Sequence, residues 1–227
     1  MINSADDPQL PRCLEAVRNQ TVLFSKIIHK NNICPAAESY NQGMAETTGE
    51  WVMHIIGDMI LDLDGIERIT GYMERDNSDR ISGYYFGLYD TFLNCKIGYV
   101  GVLRGSLYRT LRFENSYMCD VKIVNKLRSE GWEIRKTLNF LVGTHFDNPD
   151  EFQVFKRCYV HGIRYADKPE VSLKWKLIEL QKKENNSLYK LGIGAVEFAE
   201  RKKFYPGSHN LIFDRENYEE YKRCVLQ

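Results

Sequence analysis

The class this 227-residue sequence predicts is α/β, a mainly parallel mixed sheet flanked by helices. Three observations point to it. Up to about residue 75, strand-like stretches alternate with helix-spaced ones as β-α-β-α-β-α, the order that yields parallel strands with helices on both faces. The strand-like runs end in polar residues, at Ser4 to Asp7, Asn31 and Asn32, Asp58, and His145. From about Asp147 the chain turns charged and helical. A sheet domain over 1–146 is therefore expected, with a helical extension over 147–227 packed on that domain or on a partner.

The opening "MINSADD" reads as the end of a short strand. In "DPQLPRCLEAVRNQ" Asp7 can cap a helix, Pro8 suits its first position, and Leu10, Cys13, Leu14 and Val17 keep helical spacing. "FSKIIHKNN" is a second strand, and "CPAAESYNQGMAET" a helix with Ala36, Ala37, Tyr40 and Met44 on one side. Trp51, Val52, Met53, Ile55 and Ile56 make a short apolar run of the kind that forms buried strands. "LDGIERITGYMERD" is a helix in which Asp64 and Glu67 have capping-box spacing. "RISGYYFGLYDTFL" and "CKIGYVGVL" read as strands. "VKIVNKLRSEG" is an amphipathic helix on Ile123, Val124 and Leu127, stopped by Gly131. "WEIRKTLNFLVGTH" is the last strand, and in the extension Leu173, Leu177, Ile178 and Leu180 form a helical stripe.

Composition removes several function classes. Lys+Arg and Asp+Glu each number 31, so no overall field steers the chain to nucleic acid or to an anionic membrane. Six scattered cysteines contain no C-x-x-C pair, which argues against a zinc site and, at this length, against a disulfide framework. Reduced thiols and a cytoplasmic setting are expected. No apolar run approaches roughly 18 residues, and Met1 leads straight into "INSADD", so neither a spanning helix nor a signal peptide is expected.

In open α/β sheets, ligands bind beyond the carboxyl ends of the strands. Asp58, where a strand should end, is either a local cap or an ion ligand; the gathering of polar strand ends on one rim favours the ion. His145 is either a hydrogen-bonded surface residue or a second ligand. Asp120 precedes a helix, where an acid serves as an N-terminal cap. Cys34 and Cys119 have no adjacent His–acid partner, so a cysteine nucleophile is not expected.

Four segments carry a resemblance: "LPRCLEAVRNQT", "CPAAESYNQGMAETTGEW", "IIGDMILD" and "CDVKIVNKLRSEGWEIRKTLNFLVGTH". In order and spacing they resemble the family 2 glycosyltransferases of the GT-A fold, over roughly residues 1–146. "IIGDMILD" stands where that family has Asp-x-Asp at a strand end. Ile56 takes the first position, Gly57 the middle and Asp58 the second acid. The acid that the family carries at the end of its second strand has Asn31 or Asn32 as its nearest counterpart.

What the resemblance implies is an inverting, metal-dependent transferase acting in the cytoplasm. It would move a sugar from a nucleotide-sugar donor to a saccharide or lipid-linked acceptor, in building a surface polysaccharide or glycolipid. It implies Asp58 and His145 as ligands of a divalent cation, Mn²⁺ or Mg²⁺, and Asp120 as the catalytic base, with Glu114 the alternative. Asn3, Ser4, Asp6 and Asn31, with Asn41 and Arg104, would line the nucleotide-sugar cleft; Arg104 and Arg109 meet either a diphosphate or solvent. Nucleic acid is not an expected partner, and the C-terminal helices are the expected place for a peripheral membrane or protein partner. The competing reading is a non-catalytic module of the same fold whose metal motif is eroded at Ile56. A nucleotidyltransferase is less expected, since "INSADDPQL" lacks a Gly-rich, Lys/Arg-bearing phosphate loop.

Overall fold

The computed structural model describes residues 1–76, 78–116, 119–146, 148–166 and 173–225. Residues 167–172, within the stretch expected to be helical, lie outside the described residues. The chain forms two compact units, Met1–Asp147 and Asn148–Gln227. Among the described residues no helix is long and apolar enough to cross a membrane.

In the first unit the order is β1 (Ile2–Ser4), α1 (Leu10–Arg18), β2 (His29–Asn31), α2 (Ala36–Ala45), β3 (Trp51–Ile56), β4 (Met59–Leu61) and α3 (Gly65–Met73). Then come β5 (Ile81–Asp90), β6 (Cys95–Arg104), α4 (Gly105–Tyr108), α5 (Cys119–Ser129) and β7 (Glu133–His145). One sheet takes the strands in the order β2-β1-β3-β6-β5-β7-β4. Its parallel pairs are β2–β1, β1–β3 and β5–β7; its antiparallel pairs are β3–β6, β6–β5 and β7–β4. The sheet is thus evenly mixed, which corrects the expectation of a mainly parallel one. The cause is local. β5 and β6 are joined by a four-residue turn, which forces an antiparallel hairpin, and β6 then inserts beside β3.

Alternation along β3 builds both faces. Met53 and Ile55 join Ile2, Cys13, Val17, Ile66, Ile69 and Phe86 in a core under α1 and α3. On the other face Val52 packs with Ala37, Met44, Leu103, Tyr108, Ile123 and Leu127 under α2, α4 and α5. Gly131 ends the region after α5 with a φ of +84°, a left-handed position that glycine takes without strain.

Three local expectations are corrected. Helix α1 begins at Leu10, with Pro11 in its first turn; Asp7 holds the preceding turn by accepting from Gln9 N–H at 2.9 Å. The second strand covers only His29–Asn31. No capping box forms at α3. Asp64 instead meets Arg68 Nε at 3.1 Å, and Glu67 accepts from the Thr21 hydroxyl at 2.9 Å. A guanidinium and a hydroxyl thus competed successfully for the two carboxylates.

The triplet Met59–Leu61 is a strand of its own. It pairs antiparallel with only the last three residues of β7, Met59 opposite His145. This short strand turns Asp58 back toward His145.

The second unit is helical: α6 (Glu151–Arg164), α7 (Leu173–Glu184), α8 (Ser187–Lys202) and α9 (Leu211–Val225). Asp150 and Gln153 form a reciprocal capping box at α6. Leu173, Leu177 and Leu180 of the expected stripe are buried, while Ile178 is half-buried. Asp214, in the first turn of α9, is 1% exposed, and Tyr205 donates a hydrogen bond to it at 2.8 Å.

Burial pushes the Asp214 carboxyl from its ordinary 3.8 up to about 7, against the opposing pulls of the Tyr205 hydrogen bond and Lys156. Between those values the folded unit keeps a proton that the unfolded chain has released, so this contribution to stability falls as pH rises. His161 and His209 act in the opposite sense: burial lowers both from 6.5 to about 4, and their contribution is lost on acidification through that window. Asp214→Asn keeps an acceptor for Tyr205. It is expected to stabilise the protein above neutral pH by on the order of 2–4 kcal/mol, and to be near neutral in acid. Thermal melts of both chains across pH measure this; a difference constant with pH would remove Asp214 from the linkage.

Candidate functional site

The ends of five strands, β1, β2, β3, β5 and β7, and the start of one helix, α5, carry the residues of the candidate site. At the carboxyl ends of β1 and β2, side chains tie the two strands together. Ser4 donates its hydroxyl to Asn31 Oδ1 at 2.7 Å and lies 2.9 Å from His29 Nε2. Asn32 Nδ2 donates to Asp6 Oδ1 at 2.8 Å while Asn32 Oδ1 accepts from Asp6 N–H at 2.8 Å. Asp6 and Asn32 both adopt left-handed backbone, with φ of 47° and 55°, a conformation their short polar side chains tolerate. Asn3 lies 3.1 Å from His54 Nε2 on β3 and accepts from Ser39 of α2. The fold thus brings Asn3, Ser4, Asp6 and Asn31 to one stretch of rim.

Next along that rim is the end of β3. Gly57 N–H donates to Asn3 O at 3.0 Å. A Cβ at Gly57 would stand 2.9 Å from Ser4 Cβ and 3.2 Å from Asp7 Cβ. The middle position of the motif is therefore glycine because two chain segments meet there. Beyond it, Phe146 N–H donates to the Asp58 carbonyl at 3.1 Å, so the ends of β3 and β7 are joined.

Asp58 Oδ2 lies 3.5 Å from His145 Nε2, and His145 Nδ1 lies 2.9 Å from Asp90 Oδ2. The Asp58 and His145 side chains are each 14% exposed; Asp90, ending β5, is fully buried. Asp90 is the residue that sequence reasoning missed. Its one signal is an acid closing a strand, in "GLYDTF", and the apolar Phe92 and Leu93 that follow make it look like strand interior. Beneath the site, burial first, then Asp58 and Asp7, push the Cys13 thiol up to about 12, which makes it inert as a nucleophile. All six cysteines are free thiols.

Asp120 is the first-turn acid of α5 and is exposed. It borders a cavity of about 100 Å³ together with His54, Ile56, Met59, Tyr85 and Tyr108. That is well below the roughly 300–1,000 Å³ of a complete small-molecule pocket, so it accommodates one end of a ligand. Burial holds the His54 imidazole at about 3, so its ring is neutral at physiological pH. Ile56, at the first position of the motif, is 38% exposed and faces this cavity rather than the core.

Arg104 lies away from this rim, while Asn41 is tied to Phe113, which lines the cavity beside Asp120. Arg104 pairs with Trp51 at the start of β3, at the far end of a strand roughly 16 Å long. Its guanidinium lies 4.7 Å over the Trp51 ring, and Nε donates to Ile81 O. Asn41 exchanges two hydrogen bonds with the Phe113 backbone, at 2.8 and 2.9 Å, fastening the segment after α4 to α2. Arg109 donates to Gly49 O, and Glu114 is exposed with Lys122 at 3.3 Å.

Among the described residues no group of three or more His, Cys, Asp or Glu is arranged to hold a metal ion. Asp58 and His145 supply two donors, with Asp90 behind the ring. Their 3.5 Å separation is longer than a good hydrogen bond. It is close to the spacing of two adjacent ligands on one cation, about 3.0–3.5 Å for bonds of roughly 2.0–2.2 Å.

No family model matches this chain, and no curated protein matches it. Among solved structures it is similar in fold to a mannosyltransferase from Pyrobaculum calidifontis in complex with GDP-Man and Mn²⁺. The TM-score is 0.50 and the identity 10%, over 99% of this chain and 80% of that one.

Proposed function

We propose that this chain is a glycosyltransferase moving a sugar from a nucleotide-sugar donor to an acceptor hydroxyl, by a cation-assisted, inverting route. The observation that carries the reading is the meeting of Asp58 and His145 at 3.5 Å on the carboxyl rim of the sheet. The similarity in fold to a nucleotide-sugar-bound mannosyltransferase supports it.

Asp58 and His145 are the residues that would hold the cation, a hard ion that takes its remaining ligands from water and phosphate oxygen. When bound, such an ion neutralises charge on a leaving diphosphate. The chain's own residues do the rest. The β1–β2 rim of Asn3, Ser4, Asp6 and Asn31 offers amide, hydroxyl and carboxylate groups to a base or ribose. Asp120, at the edge of the aromatic cavity, accepts the acceptor's proton. Neutral His54 and the tyrosines around it give that cavity an uncharged wall suited to a sugar. A saccharide or lipid-linked acceptor, a surface polysaccharide or glycolipid as product, GT-A and family 2 affiliation, and a cytoplasmic setting complete the proposal.

Calorimetric titration with a panel of nucleoside diphosphates, with and without Mn²⁺, tests it. Cation-dependent binding of at least one diphosphate is expected; no binding by any of them overturns the reading. One observation favours the alternative of a non-catalytic module: Ile56 faces the cavity where the resemblance implies an acid. Ile56→Asp is informative because the position is more than a third exposed. The expected loss of stability is below about 1.5 kcal/mol, less than full burial of an isoleucine is worth. Cation-dependent affinity is expected to rise. A large loss of stability without gain in affinity would show that Ile56 serves packing.

A further inference from the structure

We infer that Asp90 is a positioning residue, which locks His145 in the tautomer protonated at Nδ1 and thereby aims the Nε2 lone pair at Asp58. This deepens the proposed function and rests on it for the identity of what is bound. Both oxygens of Asp90 are engaged: Oδ2 lies 2.9 Å from His145 Nδ1, and Oδ1 accepts from Leu93 N–H at 2.7 Å. The carboxylate therefore cannot swing. A neutral imidazole carries one ring proton, and the geometry places it on Nδ1, which lies at hydrogen-bond distance from Asp90 Oδ2, rather than on Nε2, whose 3.5 Å to Asp58 is too long for a good hydrogen bond. The other nitrogen, Nε2, then presents its lone pair 3.5 Å from Asp58 Oδ2.

The backbone fixes the ring's position as well. Asp90 and His145 are register partners on the parallel pair β5–β7. Thr91 N–H donates to His145 O at 3.2 Å, and the Thr91 hydroxyl donates to Phe146 O at 3.1 Å. The turn after β5 thus clamps the end of β7 from the side opposite Asp58. A fully buried carboxylate is costly. An asparagine could satisfy Leu93 N–H at lower cost, but its amide presents a donor as readily as an acceptor and would not define the tautomer. A carboxylate behind a histidine, with the far nitrogen facing a second carboxylate, is the arrangement that prepares imidazole to bind a cation.

The test is ring-nitrogen NMR of histidine-labelled, metal-free protein at a pH where the ring is neutral, with His145 assigned by its loss in His145→Gln. The wild type is expected to show the Nδ1–H tautomer, and Asp90→Asn a mixture or the other form. With GDP present, Asp90→Asn is expected to weaken Mn²⁺ binding by roughly 10- to 100-fold. A wild-type ring protonated at Nε2 overturns the inference; that measurement needs no variant and stands even if Asp90→Asn fails to fold. An Asp90→Asn protein with unchanged tautomer and Mn²⁺ affinity also overturns it. Should the tautomer respond to Asp90→Asn while the wild type binds no Mn²⁺ with any nucleoside diphosphate of the panel, the orienting role is upheld and the proposed function falls.

Discussion

Asp120→Asn is expected to bind nucleotide sugar with near-normal affinity and to lose roughly 100- to 10,000-fold in turnover, the range that general-base catalysis spans. The expectation follows from position. Asp120 opens α5 at the border of the cavity that Ile56 and Met59 also line, on either side of Asp58 in the chain. A base acts on the acceptor in the transition state, so its loss depresses turnover without loosening the donor. The fold is expected to survive: an acid in the first turn of a helix is worth only about 0.3–1 kcal/mol. Donor binding by calorimetry and transfer by product release are the two measurements. Near-normal turnover would reduce Asp120 to a helix-terminal acid, and Glu114, exposed on the segment before α5, becomes the residue to replace.

Asp58→Asn is expected to fail at both steps. If Asp58 holds the cation, its replacement removes cation-dependent diphosphate binding, by about 100-fold or more, beyond what an outer-shell change alone costs, and transfer with it. The backbone around it should persist, because the Asp58 carbonyl still accepts from Phe146 N–H when the side chain is changed. Unchanged circular dichroism with lost binding is the expected combination. A mutant that binds the diphosphate and Mn²⁺ as well as the wild type removes the metal role. The contrast between the two variants matters more than either alone: Asp120→Asn separates binding from transfer, and Asp58→Asn does not.

The rim was readable in the sequence because strand ends are. Ser4, Asn31, Asp58 and His145 all close apolar runs, and a sheet collects such ends wherever its strands are parallel. The pairing that makes a site of them was not readable. Asp58 meets His145 only because Met59–Leu61 forms a strand three residues long, too short for any periodicity to register. Asp90 stayed hidden for a related reason: its partner lies 55 residues away, across a strand pair whose register bulges shift. Arg104 was misplaced because a cation at a strand end looks alike whichever end it is; the antiparallel β6 carries it away from the rim. Asp64 and Glu67 had the right spacing for a cap, yet Arg68 and Thr21 offered partners that spacing cannot reveal. Local pattern identified the elements, and long-range pairing decided which of their ends came together.

The brevity of β4 has a consequence for the protein's behaviour at high concentration. Since β4 covers only the last three residues of β7, most of that thirteen-residue strand has no strand on its outer side among the described residues. Such an edge is a template on which another chain can add a strand. Near the covered end the template is blunted: Asp62 N–H donates to Val142 O, and Arg68 donates to Leu141 O at 2.8 Å. Along the open end the strand carries Glu133, Arg135 and Lys136, all exposed, with Arg135 bridging Glu133 and Asp76. A second chain docking there would have to strip water from these charges. The same short strand that turns Asp58 toward His145 thus leaves a sheet edge open to strand addition, and the charges along β7 oppose it.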